Sequence, residues 1–330
     1  VGVEDYLLKL QECNVDAILA SDPSIIAIAK EVVPDMEIHL STQANNVNWR
    51  SAKFWHDMGV KRIVLARELS LKEIKEIREK LTESCDLEAF VHGAMCMSYS
   101  GRCLLSNYMT GRDSNRGACS QACRYKYYLV EEKRPGEYFQ VIEDDKGTYI
   151  MNSKDLCMIQ DIDKVIEAGV YSLKIEGRMK SAYYVAAVVK AYRQAVDAYL
   201  KDPKNYKFDE KWMHSLLKVS HRSYHTGFYF GEKDRQIYED SSYIRNADIV
   251  GIVKEYDEES KTALVEQRNK VFDGDEVEIL RPEGDIFSVK LLDMRENNGK
   301  KIDSAPRAQM LFRVKVDKPL KEKDFLIKNK

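Results

Sequence analysis

No stretch of this chain strings together the roughly 18 apolar residues that a membrane span needs. Its start, VGVEDYLLKL, is acidic and carries no apolar export core. A reducing, cytoplasmic setting is therefore expected, with no membrane partner. An excess of charge is also lacking: 52 Lys and Arg face 54 Asp and Glu, for a net charge of −2. No global field draws the chain to nucleic acid, so DNA is not expected as a partner and any RNA contact must come from a local basic patch. The serine frame G-x-S-x-G does not occur. His221 and His225 lie four apart but lack the glutamate of an H-E-x-x-H zinc site, which assigns them to packing or RNA contact. The tight Cys-x2-Cys runs of ferredoxins are missing, and so, for the most part, are the paired knuckles of zinc fingers. No internal repeat or low-complexity tract is evident.

What is present reads as a soluble globular protein. Hydrophobic residues make up 44% and charged residues 32% of the 330. Short apolar runs at Asp16–Ser21, Glu37–Thr42, Arg62–Ala66, Leu87–His92, Gly147–Met151 and Ser172–Ile175 read as strands. Helical patterns at Asn48–Met58, Ser70–Leu81 and Asp161–Ala168 lie between them. This alternation predicts an α/β fold, a parallel sheet or a (β/α) TIM-like barrel with six of eight strands visible. Polar groups follow several strands, where a barrel places its active-site rim. They include Gln43 and Asn45, Arg67 and Glu68, His92, Asn152 to Asp155, and Glu176 to Arg178, with His39 facing the same rim. Ser181–Leu200 predicts a long amphipathic helix, and Lys201–Lys207 a polar break. After Gly231 the texture changes to short alternating strands separated by turns such as Asp273-Gly274-Asp275. Residues 1–230 are thus expected to form the barrel domain and residues 231–330 a small antiparallel β-barrel.

Cysteine is scarce, yet it is crowded. Five of the seven cysteines fall between Cys96 and Cys157, where even spreading would leave one or two. The spacings are Cys96-x6-Cys103-x15-Cys119-x3-Cys123-x33-Cys157. Thiolates gathered from separate loops make a cage for an iron–sulfur cluster or for zinc, since soft sulfur suits both metals. Buried inert thiols are the competing reading and disulfides a lesser one. Cys13 and Cys85 stand apart and are read as plain cysteines.

These residues carry a resemblance. Glu88, Phe90, Gly93, Ala94, Met95, Cys96, Gly101, Cys103, Leu105 and Ser106 occupy every fixed position of the peptidase U32 signature. Similarity continues through Asn115-Arg116-Gly117, Cys119, Gln121, Cys123-Arg124, Asn152-Ser153-Lys154-Asp155-Leu156-Cys157 and Lys174-Ile175-Glu176-Gly177-Arg178, and includes His39 to Asn45. The family name implies a peptidase, with some members described as collagenase-like. The resemblance also implies hydroxylation that needs no molecular oxygen, closest to the branch that makes 5-hydroxyuridine at the tRNA wobble position. In that branch it implies a 4Fe-4S cluster, with prephenate as co-substrate and tRNA as partner. A second U32 chain is a further implied partner. A non-catalytic, cluster-bearing subunit is another alternative. By position Cys96, Cys103, Cys119 and Cys157 resemble the cluster ligands, with Cys123 the rival of Cys119. Aerobic handling is expected to leave zinc, disulfides or an empty site. The family barrel starts about two strands before Val1, so the resemblance implies a barrel lacking its N-terminal strands.

The remaining site candidates follow from chemistry. His92, Lys174, Glu176 and Arg178 are read as catalytic, facing substrate at strand ends. His39, Gln43, Arg116, Arg124, Asn152 and Lys154 are read as substrate-binding. Arg102, Arg116 and Arg124 could offset thiolate charge or hold phosphate or a dicarboxylate. Ordinary salt bridges are the alternative for all of these cations. Aromatic and basic residues interleave at Arg124-Tyr125-Lys126-Tyr127-Tyr128 and at His221-Arg222-Ser223-Tyr224-His225, as single-stranded RNA binding would use.

Overall fold

The computed structural model describes residues 2–95, 103–114, 117–124, 128–129, 132–133, 135–136, 139–140, 154–231, 244 and 246–330. Side chains are described for all of these except residues 124, 128–129 and 139–140. Two compact units emerge: Val1–Glu176 with Ala198–Lys207 and Arg222–Ser242, and Gly177–Asp197 with Phe208–His221 and Tyr243–Lys330.

The first unit opens with α1 (Val3–Glu12), β1 (Ala17–Ala20), α2 (Pro23–Val32), β2 (Glu37–Leu40), α3 (Trp49–Asp57), β3 (Arg62–Val64), α4 (Leu71–Lys80) and β4 (Asp86–Ala94). Local chemistry sets the helix starts. Asp22 caps α2 by accepting from the Ser24 amide, with Pro23 as first helical residue. Ser70 and Glu73 form a reciprocal capping box on α4. Strands β1 to β4 pair in parallel, in order. Their buried residues, among them Leu40, Ile63, Val64, Leu87 and Val91, are at most 1% exposed. Each such side chain contributes about 1.5–3 kcal/mol by leaving water.

Beyond β4 come α5 (Leu105–Thr110), the short β5 (Tyr128–Leu129) and β6 (Phe139–Gln140), β7 (Asp155–Cys157), α6 (Ile162–Glu167) and β8 (Ser172–Ile175). The long helix α7 (Ala182–Lys201) and α8 (Glu210–Lys218) precede β9 (Tyr224–His225). β8 pairs with β4 in parallel, but β7 pairs with β4 antiparallel. The expected run of parallel strands therefore breaks at β7: Asp155, expected among polar groups after a strand, begins a strand of its own. β9 then joins β7. Among the described residues the sheet runs β1-β2-β3-β4-β7-β9 with β8 on β4. The expected strand at Gly147–Met151 lies outside the described residues.

The second unit is rich in antiparallel strands: β10 (Ala247–Asp257), β11 (Thr262–Gln267), β12 (Val271–Phe272), β13 (Glu276–Leu280), β14 (Phe287–Lys290), β15 (Leu292–Glu296), β16 (Ser304–Ala305), β17 (Leu311–Lys315) and β18 (Phe325–Asn329). Seven of them form one sheet in the order β14-β13-β18-β10-β11-β17-β15. A continuous cluster including Val253, Val265, Ile279, Met294, Phe312 and Leu326 fills its core. Among the described residues no helix is long and apolar enough to cross a membrane.

Candidate functional site

β4 is the hub of the first unit, since β3, β7 and β8 all pair with it. Along it sits a graded series of side chains. Glu88, 9% exposed, receives Lys174 Nζ at 2.7 Å and Ser172 Oγ at 2.8 Å, with Arg62 at 3.8 Å. A buried carboxylate held this way is neutralised by its neighbours. Phe90 lies next, with the Arg67 guanidinium 3.8 Å above its ring and Lys174 Nζ at 5.4 Å. Arg67 also donates to the Ala94 carbonyl, and Tyr229 donates its hydroxyl to the Phe90 carbonyl at 2.6 Å. Burial pushes the Tyr229 phenol well above its ordinary value, so it remains a donor. His92 is 1% exposed, its ring 5.3 Å from that of Tyr224. It lies inside β4 rather than at its end, because the strand continues to Ala94.

Gly93 is a point of close backbone approach. Its φ is +106°, and a Cβ there would fall 2.3 Å from the Glu176 carbonyl oxygen. Only glycine lets β4 and the end of β8 approach so closely. The Glu176 amide donates to the His92 carbonyl at 2.8 Å. Opposite, β7 sets Cys157 against His92, Leu156 against Gly93 and Asp155 against Ala94. Asp155, 1% exposed, accepts from the Arg222 amide at 3.1 Å. Cys96 follows Ala94 by two residues.

The remaining cysteines ride on a loop folded against itself. Gln43 Nε2 donates to the Ser114 carbonyl at 3.2 Å, and Ser114 Oγ donates to the Cys103 carbonyl. Cys119 Sγ accepts the Gln121 amide at 3.3 Å, with Gln121 in the left-handed region at φ +58°. A backbone N–H aimed at sulfur is a common support for metal-bound cysteine. Cys103, Cys119 and Cys123 are half-buried and Cys157 is buried.

The structure thus brings Gln43 to the Cys103 segment, His92 to the Cys157 strand, and the Glu176 backbone to His92 and Gly93 of β4. It turns Lys174 toward Glu88 and His39 toward Glu37, 3.3 Å away. Gln43 is engaged with loop backbone. Arg178 is exposed and belongs to the other compact unit; Lys154 is half-buried just before β7. His221 and Arg222 are 2% and 1% exposed, so they sit in packing and cannot act as an RNA surface. Cys96, Arg116, Asn152, the Arg124 side chain and Tyr125 to Tyr127 lie outside the described residues. Among the described residues no three His, Cys, Asp or Glu side chains gather closely enough to hold a metal ion. The sequence did not foretell the Glu88–Lys174 pair, and it put Asp155 on a polar rim, whereas Asp155 is buried. The first had a signal in the sequence, an acid two residues before Phe90 within a mostly apolar run; the burial of the second had none, since β7 is only three residues long.

Residues 1–239 match peptidase family U32, and residues 245–326 match the peptidase family U32 C-terminal domain. The chain belongs to peptidase family U32. Members of known name resemble it over most of its length. The tRNA hydroxylation protein P1 of Bacillus subtilis is 41% identical over 331 residues, covering 100% of this chain and 78% of that protein. The tRNA hydroxylation protein P of Escherichia coli is 40% identical, covering 91% of this chain and 74% of its own. A Porphyromonas gingivalis protein named collagenase is 35% identical over 68% of this chain and 54% of its own.

Proposed function

We propose that this U32 chain hydroxylates tRNA, converting the wobble uridine to 5-hydroxyuridine. The observation that carries this reading is likeness to tRNA hydroxylation proteins along the whole chain, both units included. The collagenase-like relative aligns with a shorter part, and the sequence has no G-x-S-x-G frame for a serine nucleophile. We propose further that the first unit is a partial (β/α) barrel.

The thiol donor set suits an iron–sulfur cluster: soft ligands on separate segments, with a backbone amide already aimed at Cys119 sulfur. Cys96, Cys103, Cys119 and Cys157 would hold it, and when bound it would exchange the electrons that hydroxylation without molecular oxygen needs. The chain's own residues do the rest. Gln43 and Ser114 fix the Cys103 segment. Gly93 lets the Glu176 backbone close on β4. His92, buried beside Tyr224, is placed to hold or move a proton at a ring nitrogen. Lys174 is held by Glu88, so its part is to set the electrostatics of β4 and β8 rather than to touch substrate. Arg178, which is exposed, is assigned to phosphate or to a dicarboxylate co-substrate such as prephenate.

The test is nucleoside mass spectrometry of tRNA from a strain lacking this gene. Loss of 5-hydroxyuridine, restored by the intact gene and not by Cys103→Ser or Cys157→Ser, is the expected result. Unchanged nucleosides together with cleavage of a collagen-like peptide by the purified chain would replace this reading with the peptidase one. Protein purified without oxygen should absorb in the visible, and Cys13→Ser should leave that absorbance unchanged.

A further inference from the structure

Helix α5 presents two unlike sides. Its inner side is pinned. Ser106, 1% exposed, lies with its Oγ 3.0 Å from Ser120 Oγ and accepts the Ser120 amide at 2.9 Å. Thr110 Oγ1 donates to the Ser106 carbonyl at 2.7 Å and lies 3.1 Å from Ser120 Oγ. Gly111, at φ +69°, ends the helix in the left-handed region. Asn107 Nδ2 donates to Asp113 just beyond. The helix is therefore a fixed platform between Cys103 and Cys119.

Its outer side carries what a folded chain normally hides. Tyr108 is 86% exposed, Leu104 71% and Met109 45%. Leu104 and Tyr108 are four apart and share one strip. Arg112, next after the cap, is exposed and enters no ion pair among the described residues. An exposed ring followed four residues later by an exposed guanidinium supplies the two elements that single-stranded nucleic acid uses: base on aromatic, phosphate on cation. Three apolar side chains are far too small a patch for a stable protein interface, but they match the face of one base.

We propose that the outer face of α5 is the seat of an unstacked nucleobase of the substrate RNA, with Tyr108 as the stacking surface, Leu104 beside it and Arg112 on the adjoining phosphate. This rests on the tRNA reading and names the residues that would take the loop. None of them is a thiol or part of the buried core, so their removal leaves folding alone.

The test uses the full chain and a synthetic anticodon stem-loop with uridine at the first anticodon position, binding being followed by fluorescence anisotropy. The same strand annealed to its complement has no unstacked base and serves as control. Tyr108→Ala should weaken stem-loop binding roughly five- to a hundredfold and duplex binding not at all. Tyr108→Phe should stay within about twofold, because the ring is kept. Arg112→Gln should lower the slope of log affinity against log salt by about 1. Equal stem-loop affinity for Tyr108→Ala and the unchanged chain overturns this inference and leaves the tRNA reading standing. Failure of the unchanged chain to bind the stem-loop overturns both. A dimer in sedimentation that Tyr108→Ala dissolves, with RNA affinity unmoved, overturns it in favour of self-association.

Discussion

In the second unit the buried cluster runs from Val250 to Leu326 as valine, isoleucine, leucine, alanine, methionine and phenylalanine. The first unit instead sinks Glu88, His92, Asp155, Ser106, Ser120, Ser41, Asn46 and Arg222 among its apolar side chains. Of the eleven buried polar residues described, only His221, Gln267 and Asp324 belong to the second unit. Buried polar groups have to be matched one by one, and they contribute less to stability than apolar ones of the same size. Carrying so many marks where the chain has given up packing for chemistry. The β-rich unit has the opposite character, a core that is filled and closed.

The comparison can be broken most sharply at two glycines. Gly93→Ala forces a Cβ against the Glu176 carbonyl from a left-handed φ. It should cost on the order of 3 kcal/mol or more and collapse soluble yield or lower the first melting transition. Gly274→Ala has the same backbone sign but open space around it, and should cost only about 1 kcal/mol. Equal losses in urea denaturation would mean that β4 and β8 are not locked at Gly93.

A smaller effect sharpens the picture with charge. Asp324 is 1% exposed, pairs with Arg281 at 2.6 Å and accepts the Lys321 amide at 2.8 Å. Asp324→Ala should destabilise the second unit by about 3 kcal/mol, since it strands a largely buried guanidinium. Lys174→Met leaves Glu88 with Ser172 and a more distant Arg62, and should cost about 1 kcal/mol. Chemical denaturation of both variants gives the order; a larger loss at Lys174 would mark it as the keystone of the first unit.

Helix α4 was legible because Ser70 and Glu73 bracket its start, and β1 to β4 and β8 because each is a short apolar run. The strands at Thr262–Gln267 and Glu276–Leu280 announced themselves by alternation and flanking turns. β7 was hidden, since Asp155–Cys157 is too short for any period and its pairing with β4 joins residues about sixty apart in sequence. The thiols could be seen as a crowd; which atoms support them could not. Gln43 looked like a substrate ligand because it follows a strand, whereas its amide holds the Ser114 carbonyl. Lys174 looked free for the same reason, and the carboxylate that takes it lies 86 residues away. Side-chain partners of that kind are a property of the fold and leave no local mark.

The smallest expected effect concerns two thiols outside the crowd. Burial raises the Cys85 thiol to about 11 from 9.0, so at pH 8 iodoacetamide should label exposed Cys13 and leave Cys85 untouched until the chain unfolds. The unfolded chain gives up that proton near 9 and the folded one only near 11. Stability should therefore decline between those values as pH rises. Ready labelling of Cys85 in the native chain, read by peptide mass spectrometry, would show the first unit to be looser than its packing implies.

Three residues of β7 carry all the register that sets Cys157 facing His92. Neighbouring residues of a strand face opposite ways, so sliding β7 by one place would send the thiol and Asp155 through to the far side and bring Leu156 forward. The slide is resisted from outside the ladder: the Asp155 amide is tied to Ser223 and the Met158 amide to Val91. Such a segment tolerates exchange of side chains far better than any change in length. Loops elsewhere can grow or shrink across this scaffold, but the count of residues between Asp155 and Met158 is as much a part of the site as the sulfur it delivers.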